Sequence, residues 1–347
     1  MSHLQQVLFC TRRHYCLVAT VLDMLIGLEG TPGSGVGDIA HVLCSKFGFK
    51  LLCTESQNAS TEREIETEIY KSFIDSNDML TYVTTNWREN FLISNMSSLT
   101  NFDLFFKRPF VLLITIDSSL LVKFRRFQER QPDVTLEQFC SLTDAHLLSS
   151  NNRHCKYEDH ALLKLINNAD NHDSLHKSLT QLNLLDQERL RPEWDSYFMN
   201  FADLAAMRSN CMKRRVGCVI VKDKRVVATG YNGTPRGFTN CNEGGCYRCN
   251  HPEVSSAGLG LSTCLCLHAE ENALLEAGRA RIGEDAILYC NTCPCLTCSI
   301  KIVQVGIKEV VYSQSYSMDE FSEKVFREAG VHLRQFIPPA YGTVILE

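Results

Sequence analysis

His268-Ala-Glu270 and, further along, Pro294-Cys295-Leu-Thr-Cys298 carry the densest chemistry in the chain. One imidazole and two thiols are the borderline-to-soft donors that zinc prefers, and a carboxylate sits two residues from the imidazole. A structural zinc site closes its tetrahedron with a fourth protein ligand, whereas a hydrolytic one keeps that place for water. His268, Cys295 and Cys298 as ligands, with Glu270 as proton shuttle, therefore predict metal-assisted hydrolysis. The competing reading closes the site with another cysteine and makes it purely structural.

Helix geometry constrains where this chemistry can sit. The run His268 to Ala277 reads as a helix stopped by Gly278, a residue suited to the position just past a helix end. Each helical step turns about 100°, so residues two apart point away from each other. His268 and Glu270 can serve one centre only at the helix N-terminus, where the helix dipole also favours negative charge. Glu271 points elsewhere and is expected to be an exposed or structural carboxylate. Pro294 suits a first helical turn, and Cys295 and Cys298, three apart, face the same way.

The elements that must hold these residues follow from the patterning downstream of Pro192. Glu193 to Ala205 reads as a helix, and Val216–Val221 and Arg225–Tyr231 as a hairpin. Ala286–Cys290, Glu309–Ser313 and His332–Phe336 supply three more strands, with helices starting at His268, Pro294 and Met318 between them. That is a five-stranded mixed sheet with helices, an α/β/α sandwich.

The first half alternates strands and helices, the pattern of a parallel α/β sheet. Strand-like Leu25–Leu28 leads into Gly30-Thr-Pro-Gly-Ser-Gly35-Val36-Gly37, which has the glycine spacing of a phosphate-binding P-loop. Val36 occupies the position of its lysine and Gly37 that of its Ser/Thr, so the phosphate charge and the magnesium ligand are both missing. A helix over Asp38–Phe47, a buried strand Phe110–Ile116, a helix Leu120–Arg130 and a strand Leu162–Asn167 complete the reading. The domain is a degenerate P-loop, kinase-like scaffold with a regulatory or assembly role, not a working kinase. The expected boundaries are an N-terminal extension at 1–23, the kinase-like domain at 24–188, a charged hinge ending at Pro192, and the zinc domain at 192–347.

Composition sets the outer limits. The chain has 347 residues, and its net charge of −5 argues against general nucleic-acid binding. Residues 1–22 lack acids and include Arg12 and Arg13, but Asp23 interrupts an apolar run too short to span a bilayer. The segment is not read as a mitochondrial targeting peptide, and neither membrane nor nucleic-acid partners are expected. Seventeen cysteines, an odd count, point to free thiols and metal ligands in a reducing, cytoplasmic or also nuclear, compartment.

The second domain resembles the cytidine/deoxycytidylate deaminase family, and within it the fungal deoxycytidylate type with an N-terminal kinase-like domain. The likeness rests on Arg208-Ser-Asn-Cys211, Arg215-Val-Gly217, Gly230-Tyr-Asn-Gly233, Thr239-Asn-Cys241, His268-Ala-Glu-Glu-Asn-Ala273, Cys293-Pro-Cys295 and Ser313-Gln-Ser-Tyr316. It is strong over roughly the last half of the chain and weak over the first. The resemblance implies a cytidine-deaminase-like fold and zinc-dependent conversion of dCMP to dUMP and ammonia, supplying thymidylate synthesis. It implies Arg215 and Tyr316 at the substrate phosphate, Asn232 near the sugar or an effector, dCTP activation, dTTP inhibition and a homo-oligomer, a hexamer. It also implies a second, structural zinc, with Cys211 and Cys241 matching ligand positions; which of Cys246, Cys249, Cys264 and Cys266 complete it is left open. The alternatives are a deaminase of another cytosine nucleotide or of RNA, and a nucleotide-sensing scaffold.

Overall fold

The computed structural model describes residues 24–57, 67–148, 153–169, 171–251, 264–315, 320–338 and 342–346. The chain forms two compact units, the first built from residues up to Arg191 together with the C-terminal segment, the second starting at Pro192. The break at Arg191/Pro192 falls at the charged hinge. The second domain does not extend to 347, because the last strand joins the first unit.

In the first unit seven parallel strands lie in the order β12-β6-β5-β1-β4-β2-β3. They are β1 (Leu25–Gly30), β2 (Lys50–Thr54), β3 (Lys71–Phe73), β4 (Phe91–Ser94), β5 (Val111–Asp117), β6 (Leu163–Asn167) and β12 (Gly342–Leu346). Alternation decides which face each side chain serves. Ile26 and Leu28 join one core with Ile39, Leu43 and Leu175, while Leu25 packs on the other face with Met79, Phe91 and Tyr157.

The glycine-rich loop after β1 leads into the helix Val36–Phe47, whose N-cap Gly35 has φ 86°. The helix Leu120–Arg130 lies against that loop, so closely that a Cβ on Gly33 would meet the Lys123 carbonyl oxygen at 2.3 Å. Lys123 is buried and donates to Asp117 at 2.8 Å and to Thr31 at 3.3 Å. Arg126 donates to the carbonyls of Ser34 and Asn167. The loop's cations thus come from another helix and are engaged with protein groups.

The second unit holds a five-stranded mixed sheet in the order β11-β10-β9-β7-β8. Its strands are β7 (Gly217–Lys222), β8 (Arg225–Tyr231), β9 (Ile287–Thr292), β10 (Glu309–Gln314) and β11 (His332–Gln335). β7 runs antiparallel to β8 and β9, and β9, β10 and β11 run parallel to one another. Cys218, Ile220, Leu288, Cys290 and Val310 face the helices Ala269–Ala277, Leu296–Val305 and Glu320–Glu328. Val219, Val221, Tyr289 and Val311 face the helix Trp194–Ala206 on the other side. Period-two alternation along three strands thereby makes the expected α/β/α sandwich. The helices begin slightly later than the spacing predicts, at Ala269 and Leu296, which leaves His268 and Cys295 as caps. The predicted start at Met318 lies outside the described residues.

Candidate active site

Each of the two helices begins with a candidate ligand at its cap. His268 is the N-cap of Ala269–Ala277 with extended φ/ψ of −77° and 156°, and Cys295 is the N-cap of Leu296–Val305 with −74° and 166°. Non-helical backbone at the cap turns His268 away from the helical screw, which removes the conflict between it and Glu270. Pro294 consequently precedes the cap instead of opening the helix, and Cys298 sits in the first turn.

The strand leading to His268 is pinned by the hairpin. Leu267 N–H donates to the Gly233 carbonyl at 2.9 Å, and Gly233 N–H to the Leu267 carbonyl at 3.2 Å. Gly230 lets the glutamate helix rest directly on β8: a Cβ there would lie 2.2 Å from the Ala269 carbonyl oxygen. These contacts give a physical reason for the Gly230-Tyr-Asn-Gly233 pattern. On the other side, Cys293 N–H bonds the Gln314 carbonyl at 3.0 Å, fixing the entry to the cysteine helix.

His268 Nδ1 lies 3.4 Å from both the Cys295 and the Cys298 sulfurs. The three donor atoms fall within 4.8 Å of one another, a spacing that one ion at about 2.0–2.3 Å from each could bridge. One nitrogen and two sulfurs are a donor set suited to zinc, and among the described residues no further metal-ligating side chain joins this group. A hydrogen bond from Cys298, assisted by His268, pulls the Cys295 thiol down to about 4. Cys298 is pushed up by the same bond and by burial. His268 is raised by its bond to Cys295.

Glu270 is 4% exposed, and burial pushes its carboxyl up to about 7 despite a nearby His268 and a hydrogen bond with Cys298. Such a group can hold or release a proton near neutrality. Glu271 behaves differently: Lys301 on the cysteine helix donates to its carboxylate at 2.6 Å, tying the two helices together. Glu271 is thus a structural carboxylate, engaged between two helices.

Two of the three substrate-contact candidates are described, and they differ in exposure. Arg215 is exposed and lies just ahead of β7. Asn232 is buried, and its Oδ1 accepts from Ser209 Oγ at 2.7 Å and Val216 N at 2.9 Å, while its Nδ2 donates to the Arg214 carbonyl at 2.9 Å. Its amide braces the 209–216 loop. Tyr316 lies outside the described residues. Sequence reasoning missed Asn291, which accepts from the Gly217 N–H at 3.1 Å and aligns β7 beside the site; a lone polar residue closing a strand carries no sequence signal.

All six cysteines of the second cluster come together. Cys211, Cys241, Cys249 and Cys266 form one set of four with mutually close sulfurs, and Cys246, Cys249, Cys264 and Cys266 form another. All six are free thiols.

Comparison with known proteins covers both units. The family model described as "Cytidine and deoxycytidylate deaminase zinc-binding region" matches residues 192–314. The deoxycytidylate deaminase of Schizosaccharomyces pombe is 50% identical over 320 residues, 90% of this chain and 98% of its own. That of Saccharomyces cerevisiae is 44% identical over 90% of this chain and 96% of its own. Among solved structures, the dCMP deaminase of cyanophage S-TIM5 in complex with dCMP and dUMP is 33% identical, covering 42% of this chain and 98% of that one, with a TM-score of 0.35.

Proposed function

The chain belongs to the deoxycytidylate deaminase family, and on that premise we propose how its residues convert dCMP and water into dUMP and ammonia. The observation that carries the proposal is the buried Glu270 carboxyl at the same helix N-terminus as His268, beside Cys298. His268, Cys295 and Cys298 would hold zinc. When bound, zinc acts as a Lewis acid and brings the pKa of a water toward about 7.

Glu270 accepts the proton that the attacking water gives up and passes it to the pyrimidine N3, which makes C4 electrophilic. The water oxygen bonds to C4, Glu270 then takes the second proton from the new C4 hydroxyl and delivers it to N4, and the C4–N4 bond breaks to release ammonia and leave the C4 carbonyl and N3–H of dUMP. Burial keeps this proton traffic out of bulk solvent. Arg215, with Tyr316, is assigned to the 5′-phosphate and Asn232 to the sugar side or an effector, on the strength of the family resemblance. The same resemblance supports dCTP activation, dTTP inhibition and hexamer formation. The free thiols of both units, Cys44, Cys53 and Cys140 in the first and the clustered cysteines in the second, favour a reducing compartment, cytoplasmic or nuclear.

For the first unit we assign a regulatory or assembly role on a kinase-like scaffold. The parallel sheet and glycine-rich loop support the scaffold. Val36 and Gly37 in place of the catalytic pair, with Lys123 bonded to Asp117, speak against phosphoryl transfer.

Ammonia release from dCMP, CMP, dCTP, cytidine and a tRNA, with and without dCTP and dTTP, tests substrate and regulation together. Glu270→Gln should keep its zinc and lose about 10²–10⁴-fold in kcat on dCMP. Glu271→Gln should stay within several-fold of wild type. Near-normal turnover by Glu270→Gln, or activity confined to RNA, overturns the mechanism or the substrate.

A further inference from the structure

The geometry points to a binuclear zinc–thiolate cluster in the second unit, in which two zinc ions share the sulfurs of Cys249 and Cys266 as bridges. Cys211 and Cys241 are the terminal ligands of one ion, Cys246 and Cys264 of the other. This goes beyond the single structural zinc implied by resemblance, and rests on the deaminase reading only in that the catalytic zinc is counted beside it.

Sulfur spacing is the first argument. Zinc with bonds of about 2.3 Å to tetrahedral thiolates places neighbouring sulfurs about 3.8 Å apart. The observed separations are 3.8 Å for Cys211–Cys249, 3.9 Å for Cys246–Cys264, 3.7 Å for Cys249–Cys264 and 3.9 Å for Cys249–Cys266. Disulfides, with S–S of about 2.05 Å, are excluded by the same distances.

The second argument is the sharing. Two sets of four meet the ligand criterion, and both contain Cys249 and Cys266. The sets therefore meet along one edge, the Cys249–Cys266 pair. A single zinc would satisfy either set equally well and leave two thiols of the other beside it. Two ions bridged across the common edge use all six. The cluster is a small core of its own, made of cysteines alone.

Amide donors are distributed to match. Met212 N–H donates to the Cys241 sulfur at 3.5 Å, and Leu265 N–H to the Cys246 sulfur at 3.4 Å, one terminal ligand in each half. Donors of this kind stabilise and orient metal-bound thiolates. Two Zn²⁺ and six thiolates leave two negative charges, and Lys213, Arg214, Arg215 and Arg248 lie close in sequence to ligands. The cluster ties the loop after Trp194–Ala206 and the 241–250 segment to Cys266, two residues before His268. Its role is to position the strand that delivers the catalytic histidine.

Zinc per chain, measured by mass spectrometry on the purified full-length protein, is expected to be three. His268→Ala should leave two. Replacing Cys246 and Cys264 together with alanine, or Cys211 and Cys241 together, should each remove one. A mononuclear site would leave the count unchanged in one of these double variants, which overturns the proposal. A wild-type count of two that falls to one in His268→Ala overturns it as well. A count of two unchanged by His268→Ala sinks the catalytic-zinc reading and leaves the cluster standing. Should a double variant not fold, X-ray absorption on the wild-type protein decides: a zinc–zinc vector supports the bridge, and its absence refutes it.

Discussion

Asp195 receives two hydrogen bonds from Arg334, at 2.6 and 2.8 Å, and a third from the Tyr289 hydroxyl at 2.9 Å. Burial raises its pKa, but these bonds outweigh burial and hold the carboxyl below its ordinary value. Because the folded pKa is the lower one, the contribution to stability is present above the unfolded value of about 3.9 and is lost as pH falls through the folded one. Asp195→Asn should therefore destabilise the second unit by about 1–2 kcal/mol at pH 7, the pair being partly solvated. It should also flatten the loss of stability below pH 4. Acid melting curves with the same slope as wild type would show that Asp195 is not the titrating group. At this scale the grouping of His268, Cys295 and Cys298 beside Glu270 was readable from type and spacing. The Asp195–Arg334 pair was not, because the partners are far apart in sequence and each, alone, resembles any surface charge.

Between the elements, the decisive contact is glycine against helix. Gly230 on β8 and the backbone at Ala269 and Ala273 approach so closely that an added Cβ would lie 2.2 Å from one carbonyl oxygen and 2.4 Å from one amide nitrogen. Neither is the flexible end of a side chain, so the helix must move. Gly230→Ala is expected to cost about 1–3 kcal/mol. Since that helix carries His268 as its cap and Glu270 in its first turn, turnover should fall with zinc retention. Unchanged melting and kcat would show that the helix does not depend on this contact. Most strands and helices of the second unit were legible to within a few residues, for alternation and 3.6-residue periodicity are local properties. The caps shifted by one or two positions because helix ends are set by capping geometry, which spacing reads poorly.

For the molecule as a whole, the C-terminal strand carries the main revision. β12 pairs parallel with β6, and Leu346, 1% exposed, is buried in the core of the first unit with Leu163 and Leu165. The boundary expected at 347 assigned this strand to the other domain by sequence order. Leu346→Ala should destabilise the first unit by about 2–5 kcal/mol and accelerate hydrogen exchange along Leu163–Asn167. Unaltered exchange there would remove β12 from the cooperative core. β2, β3 and β4 also escaped the sequence reading, being three to five residues long, too short for a periodicity to declare itself.

Residue type and local spacing were enough to single out His268, Cys295, Cys298 and Glu270 as candidates, to set Glu270 apart from Glu271, and to expect a mixed five-stranded sheet, because ligand chemistry and helical or strand period act over a few residues. They also singled out six cysteines, four of which were expected to hold one structural zinc, but not how the six are arranged. That needed the sulfurs placed in space, where Cys249 and Cys266 belong to both sets of four. The same holds for Gly230 under the catalytic helix and β12 on the far sheet: close packing joins residues from distant parts of the chain, and no local pattern records which ones meet.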